Sequence, residues 1–222
     1  MIKRFIDVVL STIAILILFP FLTPVMAILK LTGEGYIFYQ QKRVGKNGKL
    51  FNLYKFSTMF KDSPNMRGGN ITSNNDYRIL PFGKFLRKYK INELPQVVNV
   101  FLGDMSVIGR RPMVSEHFEF FDKRIKNIIS KFKPGLSGVS SIVFRHEEQY
   151  FTGVTPDENK TIYRDQIAPF KGELELWYCR NQSVIVDLLL IMVTLSSLFI
   201  LSTNLLNKLF WDLPKHPIYN PK

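Results

Sequence analysis

Val8-Val9-Leu10-Ser11-Thr12-Ile13-Ala14-Ile15-Leu16-Ile17-Leu18-Phe19-Pro20-Phe21-Leu22-Thr23-Pro24-Val25-Met26-Ala27-Ile28-Leu29 contains no charged residue and follows Met1-Ile2-Lys3-Arg4. A stretch of about twenty apolar residues has the length of a bilayer-crossing helix. No small-residue cleavage site follows it, so it reads as retained rather than as a removable signal. Pro20 and Pro24 each remove a backbone donor in its second half, which leaves two geometries: a kinked transmembrane anchor, or a re-entrant hairpin broken near Pro20. In the hairpin, Lys3, Arg4 and Lys30 share one side and all face anionic head groups.

Working outward, a second apolar run, Val184 to Leu206, carries Asp187, Thr194, Ser196 and Ser197 and lies on the membrane or across it. Between the two runs the chain reads as one folded unit. Tyr36 to Tyr39 is a short strand, Lys46-Asn47-Gly48-Lys49 a hairpin turn, and Leu50 to Tyr54 the returning strand. Ser63 to Asn75 is a surface loop rich in Asn, Ser and Gly. Helices are expected over Phe82–Lys88, over Glu93–Phe101 with Gly103 as its stop, and over Val114–Phe132. Ser137–Val143 reads as extended and Phe144–Pro169 as polar and irregular.

The chain has 222 residues and a net charge of +12, from 30 Lys and Arg against 18 Asp and Glu. Its partners are therefore anionic: phosphates, acidic lipids or nucleic acid. Nucleic acid is disfavoured because the aromatic residues fall within apolar runs rather than on a polar basic face. Cys179 is the single cysteine, so neither an intramolecular disulfide nor a cysteine metal cluster can form.

The chemistry concentrates between Asp76 and Pro112. Asn92 precedes Glu93-Leu94-Pro95 and an apolar helical pattern, which suits it as an N-cap. Free N–H groups at a helix start favour phosphate, or an ionised carboxylate such as Glu93 beside one. Lys84, Arg87, Lys88 and Lys90 lie just upstream, and Gly109-Arg110-Arg111-Pro112 offers two guanidinium forks downstream. Together they outline a diphosphate site.

In order and spacing, a series of short motifs resembles the bacterial sugar transferase family, the monotopic phosphoglycosyl transferases. The motifs are Lys3-Arg4-x-x-Asp7, Gln41-x-Arg43-x-Gly45, Tyr54-Lys55-Phe56-x-Thr58-Met59, Asp76-x-Arg78 and Gly83-x-x-Leu86-Arg87. They continue with Glu93-Leu94-Pro95-Gln96, Asn99-Val100, Gly103-Asp104-Met105-Ser106, Gly109-x-Arg111-Pro112 and Lys133-Pro134-Gly135-x-x-Gly138, and end at Tyr178, Asn181, Ser183 and Asp187. The resemblance covers roughly residues 3 to 190.

It implies an α/β fold: a mostly helical membrane-associated catalytic domain with a small β-hairpin and a re-entrant N-terminal helix broken near Pro20. The organisation expected from it is a membrane hairpin over 1–32, a cytoplasmic catalytic domain over 33–183 and a C-terminal membrane-associated segment over 184–222. It also implies a reaction. A sugar-1-phosphate passes from a UDP-sugar to undecaprenyl phosphate, with Mg²⁺ and an Asp-Glu pair at the helix start, on the cytoplasmic face of a bacterial inner membrane. Membrane lipids are further partners, and a homo-oligomer is left open.

The chain departs from the family pattern at its centre, where the nucleophilic Asp falls at Asn92. Three routes stay open: attack by Glu93, direct transfer without a covalent intermediate, or binding without turnover. The site expected from sequence is Glu93 as metal ligand or nucleophile, Asn92 beside it, and Arg111, Arg110, Lys55 and Arg87 on the phosphates. Asp104, Glu147 and Glu148 are further candidate carboxylates, with His146 next to the last two.

Overall fold

The computed structural model describes residues 1–66, 76–145, 147, 156–197 and 203–215. Helix α1, Ile2–Leu31, is one element of 30 residues with Pro20 and Pro24 inside it. The expected break near Pro20 is absent: the helix runs through both prolines despite the donor each removes and the carbonyl its ring crowds, and its two ends are held by packing. In the turn between them the Thr23 hydroxyl donates to Phe19 O at 2.9 Å. The helix is long and apolar enough to cross a membrane, and Phe5, Leu16, Ile17, Phe19 and Phe21 are exposed along it.

Both ends of α1 nevertheless dock on the same body. Arg4 donates from both guanidinium nitrogens, at 2.7 Å, to Val100 O and Phe101 O, two of the last carbonyls of helix α3 (Gln96–Leu102). Asp7, almost fully buried, accepts from Ser106 Oγ and Val107 N, each at 2.9 Å. Near the other end Leu22, Val25, Met26 and Leu29 pack with Phe56 and Leu86.

Strands β1 (Phe38–Val44) and β2 (Leu50–Phe56) form the expected antiparallel hairpin, with Tyr39 opposite Lys55 and Arg43 opposite Phe51. Asn47 and Gly48 hold φ of 56° and 75°, the left-handed pair that an Asn-Gly turn supplies cheaply. Helix α2 (Pro81–Lys88) follows, starting on a proline at its first turn.

The helix expected over Glu93–Phe101 is split. Ile91–Glu93 is a 3₁₀ turn entered through left-handed Lys90, and α3 begins only at Gln96 with Pro95 in the cap position. Asn92 is therefore inside the turn rather than at the N-cap of α3. Gly103 ends α3 in the left-handed conformation, as its sequence position suggests.

Beyond it, β3 (Ser106–Ile108) pairs in parallel with β4 (Gly135–Ser137). The single helix expected over Val114–Phe132 is two, α4 (Ser115–Glu119) and α5 (Lys123–Ile129), because Asp122 caps the second by accepting from Ile125 N at 2.8 Å. The stretch expected to be extended turns helical at once after β4, in α6 (Val139–Val143). Part of the supposed irregular segment is also ordered: α7 (Pro156–Ile162) runs through a π turn at Tyr163–Ile167 into α8 (Ala168–Asn181). Helices α9 (Val184–Ser196) and α10 (Thr203–Leu209) are the last two among the described residues.

The main core gathers α4 to α10 around Leu174, Tyr178, Ile129 and Leu190, all fully buried. Leu53, Val100 and Met105 form a smaller core between the hairpin and α3. The fold is thus mixed α/β and mostly helical, with the hairpin and the β3–β4 pair meeting at the segment 109–113.

Candidate active site

The hairpin grips the segment after β3. Val44 N donates to Met113 O at 2.9 Å, and Arg43 Nη1 donates to Pro112 O at 3.0 Å. Arg110 donates from Nη2 to Val44 O and Gly45 O, both at 2.9 Å, and its guanidinium stacks 5.5 Å from the Phe118 ring. Arg110 is 1% exposed. The expected phosphate role is therefore corrected: its fork is spent on backbone carbonyls of the hairpin end, and it acts as a clamp inside the fold.

Arg111, one residue on, emerges where the carboxyl ends of β3 and β4 open, the place where α/β sheets present ligand-binding loops. Its backbone N donates to Glu175 Oε1 at 2.8 Å and its Nη1 lies 3.5 Å from Ser141 Oγ. Three glycines make this approach possible. A Cβ on Gly138 would stand 2.0 Å from Gly109 O, and one on Gly135 would stand 2.1 Å from Gly109 N.

Period-two alternation puts Gln41, Arg43, Leu53 and Lys55 on one face of the hairpin. Lys55 Nζ reaches Glu93 Oε1 at 3.3 Å. Burial pushes the Glu93 carboxyl up, but the charges of Lys55, Arg111 and Lys90 more than reverse this and bring it down to about 2. It is ionised at any physiological pH. Burial brings the Lys55 ammonium down to about 8, against the opposing pull of Glu93 and with the added repulsion of Arg43, Arg87 and Arg111. Arg87 donates to Thr58 Oγ1 at 3.3 Å on the flank of this group.

The structure brings Glu93, Lys55, Arg111 and Arg87 into one charge cluster, and Asn92, the residue before Glu93, is buried. Asn92 Oδ1 is buried with no hydrogen-bond partner. Asp104 is not in the cluster; it lies past the far end of α3, accepting from Asn99 Nδ2 at 3.3 Å. Glu147 touches the cluster through Arg111, 3.6 Å away. Glu148 and His146 lie outside the described residues.

Sequence reasoning missed four contributors. Arg43 carries a signal in its motif, and burial together with Arg111 lowers its guanidinium to about 10. His117 carries none, and Tyr163 and Lys171 stand out only by their place beyond Gly138, where the sequence leaves the family's common pattern. Lys171 is 0% exposed on α8, bonded to Glu147 Oε1 at 2.6 Å and packed over the rings of Tyr163 and Phe144. His117 packs against Tyr163 with ring centroids 4.2 Å apart and the planes tilted by 31°.

The arrangement can bind a diphosphate and neutralise charge that develops on it. For a divalent cation the donor set is thin: no group of three or more His, Cys, Asp or Glu forms a metal cage among the described residues. Glu93 alone matches only the Mg²⁺ pattern in which one carboxylate and substrate phosphates supply the ligands.

A family model described as bacterial sugar transferase matches residues 1–200. The exopolysaccharide production protein ExoY of Rhizobium meliloti (strain 1021) is 32% identical over 189 residues, 77% of this chain and 83% of that protein. A UDP-N-acetylgalactosamine-undecaprenyl-phosphate N-acetylgalactosaminephosphotransferase of Aeromonas hydrophila is 32% identical over 199 residues, covering 89% of this chain and 43% of its own length. A UDP-glucose:undecaprenyl-phosphate glucose-1-phosphate transferase of Xanthomonas campestris pv. campestris is 30% identical over 190 residues, 85% of this chain and 37% of its own length.

Proposed function

Because the chain belongs to the bacterial sugar transferase family, and is in that sense a phosphoglycosyl transferase, we propose that it moves a sugar-1-phosphate from a UDP-sugar to undecaprenyl phosphate. The observation that carries this reading is the cluster of Lys55 and Arg111 around one ionised carboxylate, Glu93, with Arg87 next to Lys55. Phosphoryl transfer needs charge neutralisation and positioning more than covalent chemistry, and a basic cluster of this kind supplies both.

In this proposal Arg111, Lys55 and Arg87 bind the diphosphate. Glu93 either attacks the sugar-bearing phosphorus, expelling UMP, and is itself displaced when undecaprenyl phosphate takes the phosphosugar, or it positions the acceptor for direct displacement of UMP. Mg²⁺, held by Glu93 and the substrate phosphates, would neutralise further negative charge.

The reaction is set at a membrane in this proposal. Exposed Leu16, Ile17 and Phe21 on α1, Phe101 and Leu102 on α3, and Ile185, Leu188 and Met192 on α9 supply apolar surface on adjoining elements. Lys3, bonded to Asp187 and to Ile108 O, joins the starts of α1 and α9. Since both ends of α1 dock on one charged body, a straight crossing would draw that body into hydrocarbon; a helix that stays in one leaflet does not. Residues 1–32, 33–183 and 184–222 then act as membrane insertion, catalytic domain and C-terminal membrane contact, with the catalytic domain facing the cytoplasm of the inner membrane.

Asn92 favours a second reading. An amide is a poorer nucleophile and ligand than a carboxylate. A member so altered would bind nucleotide-sugar or polyprenyl phosphate, turn over weakly, and scaffold a polysaccharide assembly complex.

Membranes carrying the chain, given UDP-sugars, undecaprenyl phosphate and Mg²⁺, are expected to release UMP, and Glu93→Gln to abolish the release. Absence of UMP from every nucleotide-sugar tried would favour the scaffold.

A further inference from the structure

We infer that Glu147 is a positioning residue for Arg111, holding its guanidinium toward the diphosphate of a bound nucleotide-sugar; the inference rests on the reading of the site given above.

The two oxygens of this carboxylate have different partners. Oε1 accepts from Lys171 Nζ at 2.6 Å, and Oε2 faces Arg111 Nη2 at 3.6 Å. Lys171 is a fixed point. It is fully buried on α8, with its ammonium 4.8 Å from the Tyr163 ring centroid and 5.0 Å from that of Phe144. A charge so enclosed has little freedom to move away from its counter-ion, so the carboxylate bonded to it is held as well.

Arg111 is tied from a second direction by its own backbone N–H, which donates to Glu175 Oε1 at 2.8 Å, and Glu175 is itself fully buried. Its guanidinium lies 3.5 Å from Ser141 Oγ, and the side chain as a whole stays 35% exposed. An arginine held in this way keeps donors free for phosphate while losing little side-chain entropy on binding it.

A plainer role would be charge balance alone: Glu147 would sit there only because Lys171 needs an anion. The two roles separate in a double variant. Glu147→Gln strands a buried ammonium, whereas Glu147→Gln with Lys171→Met removes both charges and leaves a neutral pair of similar volume.

The experiment uses the full chain in membranes or detergent, with UDP titration by calorimetry, steady-state kinetics against nucleotide-sugar, and thermal unfolding. If Glu147 positions Arg111, the double variant unfolds near the wild-type temperature yet binds UDP roughly ten- to a hundredfold more weakly. Its kcat/KM falls by a similar factor, chiefly through KM. Glu147→Asp keeps the counter-charge but shortens the arm, and it is expected to weaken UDP binding as well.

Wild-type UDP affinity and KM in the double variant would overturn the inference, leaving charge balance as the explanation. Should Glu147→Gln alone fail to fold, the double variant and Glu147→Asp decide. UDP binding without turnover in the wild type would refute the proposed reaction while the titration still tests Glu147. A wild-type chain that does not bind UDP would overturn both.

Discussion

Lys55, on the second hairpin strand, places its ammonium 3.3 Å from the carboxylate of Glu93, in the turn before α3, and the pair joins two elements 38 residues apart. Neither side chain is sealed from solvent, with 21% and 41% of their surfaces exposed. The pair is accordingly a weak contributor to stability and well placed to exchange partners when an anion arrives. Lys55→Met is expected to raise the KM for nucleotide-sugar about tenfold with little change in unfolding temperature. Kinetics and a thermal melt check this; an unchanged KM would remove Lys55 from the phosphate site.

Gly138 stands against the backbone that delivers Arg111. A methyl group there would lie 2.0 Å from Gly109 O and 3.2 Å from Gly109 C, contacts that only a backbone shift can relieve. Gly138→Ala is expected to destabilise the chain by on the order of 3 kcal/mol and to lower UDP affinity by displacing Gly109-Arg110-Arg111. Chemical denaturation and UDP titration measure the two effects. A variant as stable as the wild type would show that the 109–111 segment has slack that the structure does not display.

His117 sets a pH dependence. Burial, with the nearby charges of Lys171 and Arg43, lowers its imidazole to about 4 from an ordinary value near 6.5. Glu147 and Glu116 oppose this without reversing it. Between pH 6.5 and about 4 the unfolded chain therefore binds a proton at this site that the folded chain does not. Stability falls as pH drops through that window and is fully retained above it. His117→Phe, which keeps a ring against Tyr163, is expected to flatten the loss between pH 6.5 and 5, before the ordinary carboxylates titrate. Identical pH slopes for the two proteins would show that the imidazole is accessible and unshifted.

What the sequence discloses is what local chemistry controls. Asn47-Gly48 demands a left-handed turn and so announces the hairpin; Gly103 announces the end of α3. Errors arise where tertiary packing overrides a local preference. Val139, Ile142 and Val143 are β-branched and read as a strand, yet Val139 and Ile142 are buried in a short helix of the main core. The same limit holds in the site. Glu93, Lys55, Arg111 and Arg87 are legible because motif order groups them. Arg110 is adjacent in sequence to Arg111 but faces the opposite way into the fold, and adjacency alone misassigns it. Lys171 is invisible until α8 is placed, since a lysine in a helix normally points to water.

Asn92 decides how far this chain follows its relatives. Its Oδ1 is buried without a partner, so the position already tolerates a desolvated acceptor. Asn and Asp are nearly isosteric, so Asn92→Asp changes charge and nucleophilicity while leaving packing almost untouched. The added carboxylate would be buried, and burial disfavours its ionised form. We expect the variant to fold with wild-type stability to within about 1 kcal/mol and to release UMP faster, with a phosphosugar trapped on the protein when undecaprenyl phosphate is withheld. Mass measurement of the intact chain after incubation with UDP-sugar detects that adduct. Slower release and no adduct would mean that the native site has been rebuilt around Glu93, and that a second carboxylate at position 92 only repels the diphosphate.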